Sequence, residues 1–330
     1  MDNRSLKTKS IVEAGLISAL IVVLALINVY VPGFSIFGTF LLPIPVTVLY
    51  LRHNFKVSLS AVLVSGILVG LTYDPIRGLT SAVVFGLTGL TLGYCIKKDM
   101  KAGITIILLS AASALGTIID YSVYLNFIDK RGLMAFITAG LKMLNESMDS
   151  AIKIYKNFGI TAEQIKPLQD TMKLFTPEFV MHLIPSFLII GGLISAFLSY
   201  KITSMILKKF RFNMKEMRPF TEIYLNSRIG VVLVTLLLLG IVLSKYKISG
   251  YEYIVTTSQV LLQIALILDG VSLLTFFLRR KFNISKAVVV FIIIFTVLQQ
   301  PFSVIYMYAG LADIIMDFRK LDPLRRGKLE

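Results

Sequence analysis

This 330-residue chain has no tryptophan, one cysteine, two histidines and only 19 acidic residues. A single cysteine, Cys95, excludes a disulfide scaffold and a Cys-based zinc site. His53 and His182 lie far apart, and no H-E-x-x-H is present, so a catalytic metal has no ligand pattern to use. Charge is scarce as well. Charged residues make up 16% of the chain, against about a quarter in a soluble domain. No G-x-x-x-x-G-K-[ST] loop occurs, which excludes an ATPase of its own, and no G-x-S-x-G occurs. No cofactor and no enzymatic activity are expected.

What is present is apolar. Hydrophobic residues are 56% of the chain and the mean hydropathy is +0.79. That much apolar surface cannot all be core, because a globular protein needs a charged skin. The composition therefore predicts an all-α, polytopic integral membrane helical bundle whose solvent is the lipid bilayer.

A hydrocarbon core about 30 Å thick asks for about 20 apolar residues per helix. Nine stretches qualify, near 11–30, 37–51, 57–72, 78–96, 102–127, 179–206, 227–244, 253–278 and 286–311. The first has no A-x-A cleavage site and reads as a retained helix rather than a signal peptide. The chain thus divides into a five-helix membrane module (1–128), an extracytoplasmic amphipathic insertion (129–178), about four further helices (179–318) and a basic tail (319–330). In the insertion, Leu133, Phe136, Ile137, Leu141, Leu144, Met148, Ile152 and Tyr155 recur at helical spacing, and a second helix starts near Thr161.

Lysine and arginine outnumber acids 34 to 19, and the excess is topogenic rather than a nucleic-acid surface. Connections on the side of the N-terminus hold seventeen basic residues, and the short loops on the other side hold only Arg77, Lys245 and Lys247. This asymmetry places the N-terminus in the cytoplasm and the protein in the plasma membrane. Nine spans would leave the tail outside, although Arg319, Lys320, Arg325, Arg326 and Lys328 favour the inside. A break at Gln299-Gln300-Pro301 would resolve the conflict by turning the last stretch into a re-entrant pair. One span and a re-entrant pair both remain open.

Small residues mark packing faces. Gly66 and Gly70 share one helix; Gly86, Gly89 and Gly93 share the next, and both sets suit close backbone approach in lipid. The first helix carries Ala14, Gly15, Ser18 and Ala19, a face for a neighbouring helix of this chain or a partner. Polar groups at depth are few. Glu13 snorkels or pairs with a neighbouring base, and Asp120 reaches the outer water near the end of its helix. Asp269 stands ten residues before Arg279, roughly 15 Å into its span. It is either protonated and hydrogen-bonded in the bundle, or it binds something. Two outer turns complete the candidate substrate-binding set. One contains Pro32 and Gly33; the other pairs Asp74 with Arg77, as a local clasp or as the mouth of a pocket.

The segments Ala14-Gly-Leu-Ile-Ser-Ala-Leu, Val31-Pro-Gly-Phe-Ser-Ile-Phe-Gly, Leu42-Pro-Ile-Pro and Gly86-Leu-Thr-Gly-Leu-Thr-Leu-Gly resemble the start of substrate-binding (S) components of energy-coupling-factor transporters. The whole chain, including Pro219-Phe-Thr-Glu, Gly310-Leu-Ala-Asp and Asp317-Phe-Arg-Lys, resembles the YybS-like membrane proteins of Gram-positive bacteria. The first resemblance implies capture of a small molecule in an outward pocket gated by Val31 to Phe34. It also implies docking through Ala14, Gly15, Ser18 and Ala19 onto a transmembrane coupling subunit driven by ATPases. A membrane scaffold or assembly factor using the same faces is the alternative.

Overall fold

The computed structural model describes residues 3–321, without the side chains of 3–7, 9, 35, 36 and 300. The basic N-terminal side chains Arg4, Lys7 and Lys9, and tail residues Arg325, Arg326 and Lys328, lie outside that set. All regular structure among the described residues is helical: α1 (Asn3–Tyr30), α2 (Ser35–Leu41), α3 (Pro43–Arg52), α4 (Phe55–Thr72), α5 (Pro75–Lys97), α6 (Ala102–Val123), α7 (Leu133–Asn157), α8 (Ala162–Lys173), α9 (Pro177–Lys209), α10 (Ser227–Lys245), α11 (Tyr251–Phe276), α12 (Lys286–Val297) and α13 (Gln300–Met316). Single wider turns extend α6 to Asp129 and α11 to Lys281.

Seven described helices are long and apolar enough to cross a membrane. They are α1 from Ser10, α4, α5, α6 with its extension, α9, α10, and α11 with its extension. Two of the nine expected stretches differ. The 37–51 stretch is an apolar helix from Phe37 to Arg52 that falls short of the about 20 residues a span needs. Leu42 keeps helical angles, and Pro43, which has no N–H, only makes a break in the hydrogen-bond ladder between α2 and α3. The buried Thr47 hydroxyl reaches the carbonyls of Pro43 and Gly89, each at 3.0 Å, which satisfies backbone oxygens near the break. The 286–311 stretch is two helices bent by 111°, and counting them as one broken span would raise the total to eight.

The chain forms two compact units, residues 1–181 with 187–216, and residues 182–186 with 217–330. In unit 1, α4 and α5 meet backbone to backbone. A Cβ on Gly66 would stand 2.6 Å from that of Ala82, and one on Gly78 would stand 2.8 Å from the Gly66 carbonyl oxygen. Further along α5, Gly86 faces Val62, Gly89 faces Val46 and Gly93 faces Tyr50. These small-residue faces therefore pack inside the chain. Gly192 of α9 likewise sits on Ser110 of α6. The apolar centre of the unit gathers Ile21, Val46, Val62, Val69 and Phe85. Glu13 is held by His53 at 2.8 Å and Arg52 at 3.8 Å, so it pairs with neighbouring bases.

The 129–178 insertion contains two helices as expected. Thr161 caps α8 in a reciprocal pair with Gln164.

In unit 2, α11 and α13 cross at Gly270 and Gly310, which leaves each backbone against the other. Glu222 lies 4.0 Å from Arg280 at the end of α11, and Arg319, after α13, reaches the carbonyl oxygens of Thr221 and Ile223 at 3.1 and 2.9 Å. The chain thus leaves α11 beside residues 221–223 and returns to the same residues after α13.

Candidate functional site

The turn ends of α1, α2, α5, α6 and α7 surround a cavity of about 460 Å³ in unit 1. Its floor and walls are apolar, supplied by Leu42, Ile76, Val84, Phe85, Ile128 and Phe136. Tyr121 and Tyr124 set their rings edge-on to Phe136, with centroids 6.3 and 5.9 Å away, and so line one side.

Polar groups enter from three helices. Asp74 caps α5 by accepting the backbone N–H of Arg77 at 2.8 Å, which orients the first turn. The Arg77 guanidinium donates to the Tyr73 hydroxyl at 3.2 Å and lines the cavity. Asp120 lines it from α6. These two opposite charges face one space but do not form an ion pair with each other. Asn28, near the end of α1, adds a buried side-chain oxygen that has no hydrogen-bond partner among the described residues. That oxygen packs against Gly38 of α2 rather than into the cavity.

Of the sequence-derived candidates, Arg77 and Asp120 therefore meet at one site. Asp74 acts on the helix end and makes no side-chain clasp with Arg77. Pro32 and Gly33 form the exposed α1–α2 turn, where Gly33 takes φ +79°. Asn28 is the residue that sequence reasoning missed, because an amide in a span usually joins helices.

A second concavity, of about 290 Å³, lies between α1 and α4, lined by Ile11, Ala14, Gly15, Ser18, Val57 and Val64 among others. Ser18 is buried and donates to the carbonyls of Ala14 and Ala61 at 2.8 and 3.2 Å. Gly15 has open space around it and Ala19 is exposed. The α1 small-residue face is therefore half used inside the chain and half open.

Asp269 is in unit 2. It is 1% exposed and pairs with Arg319, which also pairs with Asp313. Neither of the two alternatives drawn from the sequence includes this ion pair, and Arg319 is buried rather than part of a solvated tail. The backbone N–H of Leu225 donates to Asp269 at 3.2 Å, only two residues before α10 begins. Asp269 thus holds the segment that leads into α10.

A family model described as "Predicted membrane protein (DUF2232)" matches residues 19–314. The chain belongs to this family. The matched range contains Asn28, Arg77, Asp120, Asp269 and Asp313, and it ends before Arg319. The chain is also 22% identical over 311 residues to "Uncharacterized protein YybS" of Bacillus subtilis (strain 168), across 93% of this chain and 96% of that relative. No solved structure matches. The protein is a multi-pass membrane protein of the DUF2232 family.

Proposed function

We propose that unit 1 is the small-solute capture module of a non-enzymatic transport system in the plasma membrane. One observation carries this reading: Arg77 and Asp120 line the same 460 Å³ cavity without neutralising each other. Two opposite charges not paired with each other, beside an aromatic wall, suit a small molecule with both polar and apolar parts. The excess of basic residues at the opposite ends of α1, α4 and α5 supports a cytoplasmic N-terminus. In that orientation the cavity opens outward and receives solute from outside the cell.

Energy would come from partners, since the sequence has no phosphate-binding loop. A transmembrane coupling subunit with ATPases fits this need. The open half of the α1 face, Gly15 and Ala19 beside Ala14 and Ser18, is the proposed contact, in keeping with the S-component likeness of the first third.

The test is to purify the full chain and identify small molecules released on denaturation. Arg77→Gln and Asp120→Asn are each expected to weaken retention about 10- to 100-fold while leaving thermal stability unchanged, the size expected for one charge-assisted contact. A wild-type protein that retains nothing, or variants that retain as much as wild type, would contradict the reading. The scaffold alternative draws on α7, where Met143 is 69% exposed and Leu144 and Ile154 are also open. It would gain if deleting the exposed apolar residues of α7 removed protein partners and left solute retention intact.

A further inference from the structure

The buried cluster of unit 2 is not electrically balanced. Asp269, Asp313 and Arg319 are almost fully enclosed, and two carboxylates face one guanidinium. Arg319 commits every nitrogen. Its Nε donates to Asp313 Oδ2 at 3.0 Å, and Nη2 donates to the same oxygen at 2.7 Å and to Asp269 Oδ1. Its Nη1 reaches the carbonyls of Thr221 and Ile223 and the Ser272 hydroxyl at 2.6 Å. Ser272 in turn donates to the carbonyl of Phe220 at 2.6 Å. The second oxygen of Asp269 accepts from Leu225. One group is left over. Asp313 Oδ1 is buried and has no partner among the described residues.

We propose that Asp313 Oδ1 is the binding point for one monovalent cation, a proton or an alkali-metal ion, whose charge neutralises the cluster. A buried unpaired charge is costly, and a carboxylate oxygen without a donor adds to that cost. A single positive charge at this oxygen cancels both. A divalent ion would leave the cluster positive. Among the described residues no group of three or more His, Cys, Asp or Glu could hold a metal ion, so an alkali ion at this oxygen would have to complete its shell with neutral carbonyl and hydroxyl oxygens. The surrounding charged groups are few: Glu222 beside Arg280, Arg228 in the first turn of α10, and Asp317 and Lys320 flanking Arg319. Asp317 accepts the Leu321 N–H at 2.8 Å. Because Arg319 also holds residues 221–223, the cation becomes linked to the docking of the segment that leads into α10.

The experiment is thermal unfolding of the purified full chain, first across pH in choline chloride, then at alkaline pH with sodium or potassium chloride replacing choline. A ligand that binds only the folded state raises the unfolding temperature. If the ligand is a proton, wild-type stability falls as pH rises, and Asp313→Asn, already neutral there, stays flat. If it is an alkali ion, sodium or potassium raises the wild-type midpoint and leaves that of Asp313→Asn unchanged. The proposal is overturned if wild type responds to neither, or if Asp313→Asn follows wild type in parallel. Should Asp313→Asn fail to fold, Asp269→Asn, which also brings the cluster to zero charge, is expected to be flat. Should both fail, infrared carboxyl and carboxylate bands of the wild type decide: a shift on raising pH or adding alkali ion supports the site, and an invariant spectrum refutes it.

Discussion

Replacing Arg319 with alanine is expected to abolish accumulation of folded protein in membranes. The side chain is fully enclosed and makes contacts to two carboxylates, two carbonyls and a hydroxyl. Its removal leaves Asp269 and Asp313 without the guanidinium they share. Breaking a buried ion pair by deleting one partner costs about 3–5 kcal/mol, because the other charge stays behind. Arg319→Lys is expected to rescue little, since an ammonium carries the charge but lacks the planar fork that reaches both carboxylates and the Thr221–Ile223 carbonyls at once. The double change of Asp269 and Asp313 to asparagine in the Arg319→Ala background removes the stranded charge. It is expected to recover part of the lost protein, as measured by membrane yield and monodispersity on size exclusion. Yield of Arg319→Ala equal to wild type would show that the network contributes nothing to stability.

Gly78→Leu is expected to have the second largest effect, and to act on the cavity as well as on stability. The Cβ would stand 2.5 Å from the Gly70 Cα and 2.8 Å from the Gly66 carbonyl oxygen. Both are backbone atoms and cannot turn aside, so α4 and α5 must separate. Overpacking of this kind typically costs about 1–3 kcal/mol. In lipid the loss is felt fully, because close approach of small residues is a main source of helix association. Arg77 precedes Gly78, and Thr80, Ser81, Val84 and Phe85 follow on the same helix. All five line the cavity. The variant should therefore lose solute retention as well as several degrees of thermal stability. Gly103→Leu serves as the control: a Cβ there meets nothing within 4 Å, and neither property should change.

Much of the fold can be read from composition and periodicity, since lipid imposes one length and one polarity on every span. The glycine faces of α4 and α5 follow from spacing alone. The short α2–α3 pair is harder to see. Its apolar character suggests a span, but the helix from Phe37 to Arg52 is too short to be one. The site is half legible. Arg77 and Asp120 are conspicuous because charge is scarce in this chain, yet nothing in one-dimensional spacing brings residues 28, 77 and 120 to one cavity. Arg319 is hidden for a different reason. Beside Lys320 and the further basic residues of the tail it looks topogenic. The available signal was Asp269, since an acid in an apolar helix needs a partner, and the segment from Asp313 to Lys320 is where apolar helix and charge alternate.

Capture of solute from outside requires that the unit 1 cavity open to the outside of the cell. Ser81 lines that cavity, and the one native cysteine, Cys95, is buried. Ser81→Cys in a Cys95→Ala background, treated in intact cells with a membrane-impermeant maleimide, is expected to be labelled from outside. Labelling that occurs only in inside-out vesicles would place the cavity on the cytoplasmic face and contradict the proposed capture of solute from outside.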